Sequence, residues 1–407
     1  MLIALLISGF QVRVPGGVLL LVGSRLRTPE ALGQRRSRNR VPTKIVCPGV
    51  PNCWRLRATS DKLQLLGVRG GDLKTFVVWP VVAAFILVSG CSTQETTIES
   101  GKAVYSEDFP GLVIFATDDV VAEDIQSTFH WHKVAYEEWF DTRSPAAELF
   151  FPFYFALLGP DPALASDLNE RFCSFDDGIR RKCHSGNNNE ASFPEFVRSG
   201  DLAHTTIPAR DAHHLIIMTN PGAEEFGQAV LHETFHALQK SHISLHPEAD
   251  SWEGYKLLAG KAIRDGDENL PWWTEGSANY MAMLLYQRQP GVDPHYVADS
   301  MTHKLTNENE EGLTAKEIYL QSGVSLDRWG YADENGNFVG RSMGDWFVAF
   351  LVHNFGEQSV IDVHRHIPSS DFASAFERVY GMSYGEAIRD FDVFIAQPTS
   401  ELVASLP

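Results

Sequence analysis

Two histidines and a glutamate lie in one five-residue segment, in the order His232, Glu233 and His236. On an α-helix, residues four apart project from one face and lie about 6 Å apart along the axis. Two imidazoles in this arrangement can bind one Zn²⁺ ion. The glutamate between them is placed to take a proton from a water molecule that zinc has acidified to a pKa of about 7. The spacing therefore predicts a hydrolytic metal centre on a helix, and the simpler alternative is a surface helix with two solvated histidines.

A zinc site that begins with two histidines needs a third protein ligand, and Glu275 is the candidate. It lies 39 positions after His236 (275 − 236) in a segment with the pattern W-x-x-E-G-x-A-x-Y. We predict that this segment begins a second amphipathic helix. The intervening residues leave room for a loop and an antiparallel return, so that Glu275 would complete a His₂Glu site with an open fourth position for water.

The two motifs together resemble the gluzincin metallopeptidases, which include the aminopeptidase-like peptidase MA proteins and, more loosely, bacterial collagenases. The resemblance implies that His232, His236 and Glu275 bind zinc. It implies that Glu233 is the general base. It also implies a set of residues that shape the helix of the third ligand, namely Trp272, Gly276, Ala278 and Tyr280. The resemblance spans residues 105–397, including a C-terminal segment at 371–384, and it is strong at the two motifs.

Two features of the predicted site differ from the family's pattern or are left open by it. Many zincins have an acid four residues after the ligand glutamate, where it orients a ligand histidine, and here that residue is Asn279. An amide can accept the same hydrogen bond, but it raises the basicity of the ligand less. The alternative is that Asn279 is an ordinary residue of the helix surface. For the group that stabilises the oxyanion, the first candidate is Tyr331, followed by Arg341 and His353, and each of them has a structural role as its alternative.

The residues before the first motif predict a small sheet, with strands at Leu112–Ala116, 150–158 and 211–220 and a helix after the first strand. The residues after the motif predict helices. We therefore expect an α+β, zincin-like fold with two subdomains. Residues 109–240 would form a small mixed sheet with the H-E-x-x-H helix, and residues 241–400 a mainly helical subdomain that holds Glu275.

Charge is distributed unevenly along the 407 residues. Residues 1–90 contain 13 Lys or Arg and 3 Asp or Glu, a balance of +10, whereas residues 91–407 contain 21 and 49, a balance of −28. The acidic body argues against nucleic-acid binding. It suits a soluble enzyme in a salty or extracytoplasmic setting.

The N-terminal region predicts a targeting sequence rather than a folded domain. Residues 75–90 form an uncharged apolar run of 16 residues after Lys74, which is short for a spanning helix but fits the apolar part of a signal peptide. Its end, just before Cys91, resembles a bacterial lipobox. The resemblance implies cleavage before Cys91 and lipid attachment there. Because Ser92 follows, it also implies an outer-membrane anchor facing the periplasm; the alternative is a buried strand that ends at a chance cysteine.

A signal peptide should begin near the start of a chain, and this one does not. We therefore expect residues 1–72 to be a non-native or disordered extension, with the natural start at Leu73. Residues 73–90 would then be the signal peptide, and residues 91–108 a tether to the membrane.

The five cysteines are Cys47, Cys53, Cys91, Cys173 and Cys183, and none has the spacing of a zinc ligand pair. Cys173 and Cys183 flank a polar loop and could form a disulfide in an oxidising compartment. The alternative is that both remain free thiols.

These observations predict a monomeric zinc metallopeptidase of the bacterial cell envelope that acts on a peptide or protein. A second hypothesis is a catalytically weak or inactive surface lipoprotein that keeps the zincin fold as a binding module. The intact ligands and Glu233 favour the enzyme, whereas Asn279 and the unassigned oxyanion group keep the alternative open.

Overall fold

The computed structural model describes residues 103–105, 111–140, 153–175, 192–199, 203–205, 214–260 and 270–406, together with five strands in the first 77 residues. Most of the expected signal peptide lies outside the described residues, as do Cys91 and Cys183. The chain divides into two compact units, residues 1–94 and residues 95–407.

The first unit contains a two-stranded and a three-stranded antiparallel sheet, in which each strand pairs with the next. The strands are β1 (Phe10–Val14), β2 (Gly17–Leu21), β3 (Trp54–Thr59), β4 (Lys62–Arg69) and β5 (Asp72–Val77). The expected start at Leu73 falls inside β5.

The second unit is built on a five-stranded mixed sheet with the order β6-β7-β8-β10-β9. The strands are β6 (Val104–Tyr105), β7 (Leu112–Ala116), β8 (Phe153–Leu158), β9 (Ala203–Thr205) and β10 (His214–Thr219). The three inner strands run parallel, and the two outer strands are antiparallel to their neighbours. All residues of β7, β8 and β10 are buried, as expected of parallel strands covered on both faces. The three strands predicted from the sequence are thus confirmed, two of them with a later first residue.

Helices make up most of the second unit. Three lie among the strands, and the others follow β10. They are α1 (Ala122–Trp139), α2 (Pro162–Phe175), α3 (Phe193–Ser199), α4 (Phe226–Ser244), α5 (Trp252–Leu258), α6 (Thr274–Gln287), α7 (Tyr296–Thr306), α8 (Ala315–Ser322), α9 (Gly336–Phe355), α10 (Glu357–His366), α11 (Phe372–Tyr380), α12 (Tyr384–Ile395) and α13 (Thr399–Ala404). The expectation of a small mixed sheet followed by a mainly helical region is confirmed. Among the described helices, none has the length and apolar character needed to cross a membrane.

The sheet separates two hydrophobic clusters, because successive side chains of a strand point to opposite faces. On one face, Phe155 packs in the large cluster that includes α1, α4 and the C-terminal helices. On the other, Tyr154 packs with Leu168 of α2 and Phe193 at the start of α3. The helix that carries the H-E-x-x-H motif is α4, and it is therefore anchored in the larger cluster.

Cys173, in the last turn of α2, is disulfide-bonded. The alternative of a free thiol is therefore wrong for this residue. Its pairing with Cys183 stays a prediction.

Candidate metal centre

A tight turn at the end of β10 delivers the chain into α4. Asn220 has a φ of 52°, in the left-handed region that asparagine tolerates better than most residues, and Pro221 and Gly222 follow it. These residues form the turn between β10 and α4. It places the start of α4 directly beside the sheet.

The two histidines and the third predicted ligand converge in the structure. The ring centroids of His232 and His236 lie 4.6 Å apart. Glu275 of α6 lies between them, with Oε2 3.5 Å from Nε2 of His232 and Oε1 3.5 Å from Nε2 of His236. One ligand atom from each of the three residues lies within 4.8 Å of the others. This group could hold a metal ion, and the alternative of two solvated histidines on a surface helix is wrong, because both side chains are largely buried.

A close helix crossing brings Glu275 to this position. A Cβ atom on Gly276 of α6 would lie 2.5 Å from the backbone of Gly344 on α9, and one on Gly344 would lie 2.4 Å from the carbonyl oxygen of Trp272. Both distances are too short for any larger residue, so the crossing requires glycine on each helix. The glycine after the ligand glutamate, which the family resemblance implied, thus has a physical reason in this chain.

Gln239 determines which nitrogen of His236 faces the other ligands. Its Nε2 donates to the carbonyl oxygen of Thr274 (3.0 Å) and to Oγ of Ser277 (2.8 Å), so its Oε1 must be the acceptor at 2.8 Å from Nδ1 of His236. Nδ1 of His236 therefore carries a proton, so in the neutral ring the lone pair is on Nε2, the nitrogen that faces Glu275. A metal-binding histidine needs this tautomer, which makes the site chemically fit for an ion.

Opposite charges at the site shift the pKa values of Glu275 and His232. Burial tends to raise the pKa of Glu275, but the two histidines and Arg341 hold that pKa well below its usual value. Burial tends to lower the pKa of His232, but its hydrogen bond to Glu275 and the charges of Glu233 and Glu275 raise that pKa above 6.5. The carboxylate of Glu275 is therefore ionised, as a metal ligand must be.

The predicted general base, Glu233, lies next to the ligands. Its Oε1 is 3.7 Å from Nε2 of His232, and the residue is 6% exposed. The carboxylate thus borders the space that the three ligand atoms enclose. A carboxylate in this position could exchange protons with a molecule bound to the three candidate ligands.

Of the three oxyanion candidates, the structure brings two to the site. Arg341 of α9 donates to Oε2 of Glu275 at 3.1 Å and to the hydroxyl of Tyr331 at 3.5 Å. Burial and the charge of Glu275 raise the pKa of Tyr331, so its hydroxyl keeps its proton. His353 lies 12 residues after Arg341 on the same helix, about 18 Å along its axis, and is exposed. His353 is therefore excluded as a candidate.

Asn279 does not bond a ligand histidine. Its Oδ1 accepts from Gln228 at 2.9 Å, and its Nδ2 donates to Oδ2 of Asp345 at 2.7 Å. The expectation that its amide directly orients a ligand is therefore wrong, and so is the alternative of an ordinary surface residue. The amide instead links α6 to α4 and to α9.

Two cavities of about 500 Å³ share His303 and Lys304 of α7, and none of the candidate ligands lines either of them. One is lined by Gln228 and Asn279, and the other by Arg341.

Sequence reasoning missed two residues of the site. Gln239 had a local signal, since it lies three positions after His236 and so on the same helix face. Asp345 had no local signal in the sequence, because its neighbours Asn279 and Lys304 lie on other helices.

No family model matches the chain, and no curated protein matches it. The likeness to gluzincins therefore rests on the residues of the two motifs.

Proposed function

We propose that the protein is a zinc-dependent peptidase in which Glu233 is the general base. The observation that supports this most is the convergence of two imidazole nitrogens and one carboxylate within 4.8 Å, with a second carboxylate beside them. Two histidines and a glutamate are a common donor set for catalytic zinc, which keeps a further position open for water or substrate.

A zinc ion held by His232, His236 and Glu275 would polarise the scissile carbonyl and lower the pKa of a water molecule. Glu233 takes a proton from the attacking water and later delivers it to the leaving amine. The Tyr331 hydroxyl and the Arg341 guanidinium are the donors available for the carbonyl oxygen as it gains negative charge. Since Tyr331 keeps its proton, it can donate a hydrogen bond throughout the reaction.

The test compares the wild-type protein with Glu233→Gln for zinc content and for cleavage of casein or a mixed peptide library. Removal of a general base costs a factor of about 10²–10⁴ in rate, whereas the three ligands stay in place. We therefore expect the variant to keep its zinc and to lose most of the activity. Glu224→Gln, at an exposed glutamate just before α4, serves as the matched control with full activity. Full activity in Glu233→Gln would refute the assignment of the base.

One observation favours the alternative of a zincin-fold binding protein without catalysis. Arg341 donates to Oε2 of Glu275, so its charge competes with a metal ion for that oxygen. A wild-type protein that binds zinc stoichiometrically and cleaves no peptide in the same assay would support this alternative.

We also propose that the protein is anchored in the bacterial envelope by lipid on Cys91, as the lipobox-like sequence implies. Cells expressing the full chain with a labelled fatty acid should yield labelled protein. Cys91→Ser should abolish the label, and Cys53→Ser should not. Equal labelling of Cys91→Ser would contradict the anchor.

A further inference from the structure

Asp345 of α9 is a buried carboxylate in which only one of the two oxygens accepts hydrogen bonds within the described part of the chain. The residue is 1% exposed. Its Oδ2 accepts from Nδ2 of Asn279 at 2.7 Å and from Nζ of Lys304 at 2.6 Å. Within the described part of the chain, its buried Oδ1 has no hydrogen-bond partner. A buried polar atom without a hydrogen-bond partner destabilises the fold, so we expect a donor for this oxygen.

Asn279 of α6 links Asp345 of α9 to α4, the helix that carries His232. Arg341 bonds the ligand Glu275, and one turn further along both helices Asp345 bonds Asn279. The glycine crossing between α6 and α9 makes these two parallel contacts possible. From α4, Gln228 bonds the same Asn279, and Gln228 lies one turn before His232. Asp345 and Gln228 thus bond the same side-chain amide, and His232 lies on the turn of α4 that follows Gln228.

Nδ1 of His232 is a possible hydrogen-bond donor. Its Nε2 faces Glu275 at 3.5 Å and Glu233 at 3.7 Å. If Nε2 binds a metal ion, the proton of the neutral ring must be on Nδ1. His236 has Gln239 as the acceptor for that proton, and His232 needs an acceptor of its own. Burial raises the pKa of Asp345, and the charge of His232 is among the effects that oppose this rise. The two side chains therefore also interact electrostatically.

We propose that Asp345 is a positioning residue that accepts a hydrogen bond from Nδ1 of His232 through its Oδ1. Asn279 and Lys304 hold Oδ2 and so fix the direction of the other oxygen. The acid that orients a ligand histidine is then supplied by α9, while the amide at position 279 only holds that acid in place. This inference rests on the proposed metal function and deepens it.

The two metal-binding histidines would then have acceptors of different charge. Gln239 presents a neutral amide oxygen to His236, and Asp345 presents a carboxylate to His232. An anionic acceptor makes the opposite nitrogen a stronger ligand, and loss of such a partner weakens metal binding by about 10–100-fold. We expect Asp345→Asn to lower the affinity for zinc by this factor.

The experiment measures the dissociation constant for zinc by competition with a chromophoric chelator, in the wild type, in Asp345→Asn and in Asp392→Asn. Asp392 accepts from the hydroxyl of Tyr319 and serves as a control acid outside the site, with unchanged affinity. Near-UV circular dichroism checks that each variant is folded. Equal zinc affinity of the wild type and Asp345→Asn would overturn the inference and leave the proposed function standing. A wild type that binds no zinc would contradict both.

A second measurement does not depend on the variant's folding. In a crystal structure of the zinc-loaded wild type, we expect Oδ1 of Asp345 within about 2.7–3.2 Å of Nδ1 of His232. A separation above 3.5 Å, or another acceptor on Nδ1, would overturn the inference.

Discussion

At the scale of single residues, Gln239 shows how one amide can determine the chemistry of a site. Its two donor bonds leave only its oxygen for His236, and this fixes the tautomer that a metal ion requires. Glu275 is kept ionised by the charge of His236, by its hydrogen bonds to both histidines and, to a smaller extent, by Arg341. The ligands are thus positioned by neighbours that would not touch the metal ion.

We expect Gln239→Leu to weaken zinc binding by about 10–100-fold, because Nδ1 of His236 loses its acceptor. Ser277→Ala is the matched control, since it removes one partner of Gln239 but keeps the oxygen that His236 needs. Chelator competition on both variants measures the effect. Equal affinities of the two variants would show that Gln239 does not orient the ligand.

Tyr331→Phe should lower kcat by about 10²–10³-fold, with little change in zinc affinity, because it removes a donor to the developing oxyanion. Tyr319→Phe removes a hydroxyl that bonds Asp392 outside the site and should leave kcat unchanged. Steady-state peptide cleavage measures both. A Tyr331→Phe enzyme with wild-type kcat would assign the oxyanion to another group.

The parts of the site that sequence could predict are those with local spacing. His232, Glu233 and His236 share two turns of one helix, and Glu275 stands in a motif of its own. Asn279 was misjudged because its partners, Gln228 and Asp345, lie on other helices. Asp345 could not be found at all, since one aspartate in a long helix has no pattern that singles it out.

At the scale of elements, the crossing of α6 and α9 is the contact on which the site depends. Gly276→Ala places a methyl group against the backbone of Gly344 and should destabilise the fold by about 1–3 kcal/mol or more. Gly385→Ala, where a Cβ meets nothing closer than 3.9 Å, should be neutral or slightly stabilising. Urea unfolding of both variants measures the difference. Equal free energies of unfolding for the two variants would mean that α6 and α9 can move apart without cost.

The elements themselves were largely predictable from the sequence. Leu112–Ala116 is a short apolar run flanked by polar residues, and it is a buried strand as expected. The order of the five strands was not predictable, because β10 lies between β8 and β9 in the sheet although β9 follows β8 in the chain. Pairing between distant segments depends on the whole core, and periodicity reports only on local structure.

At the scale of the whole molecule, buried histidines couple folding to pH. Burial, followed by the charges of neighbouring histidines, lowers the pKa of both His132 and His364 to about 3. In the unfolded chain these histidines are protonated near pH 6.5, whereas in the folded chain they stay neutral until about pH 3. The free energy of unfolding should therefore be unaffected by these groups above pH 6.5 and fall between pH 6.5 and 3, by up to about 1.4 kcal/mol per pH unit for each group.

His364→Leu tests this coupling, because the ring packs between Phe235 and Trp273 in an apolar environment. In metal-free protein, urea unfolding from pH 7 to pH 4 should show a shallower decline for the variant, by about one proton's contribution. His353→Gln, at an exposed histidine, should follow the wild type. Parallel curves for His364→Leu and wild type would rule His364 out as a source of acid sensitivity.

The most direct test of the account is anomalous diffraction at the zinc edge from crystals of the zinc-loaded protein. We predict one strong peak within about 2.0–2.2 Å of Nε2 of His232, Nε2 of His236 and a carboxylate oxygen of Glu275, at full occupancy. The absence of a peak there under zinc supplementation, or a peak bound by other residues, would contradict the metal centre and the peptidase function proposed from it.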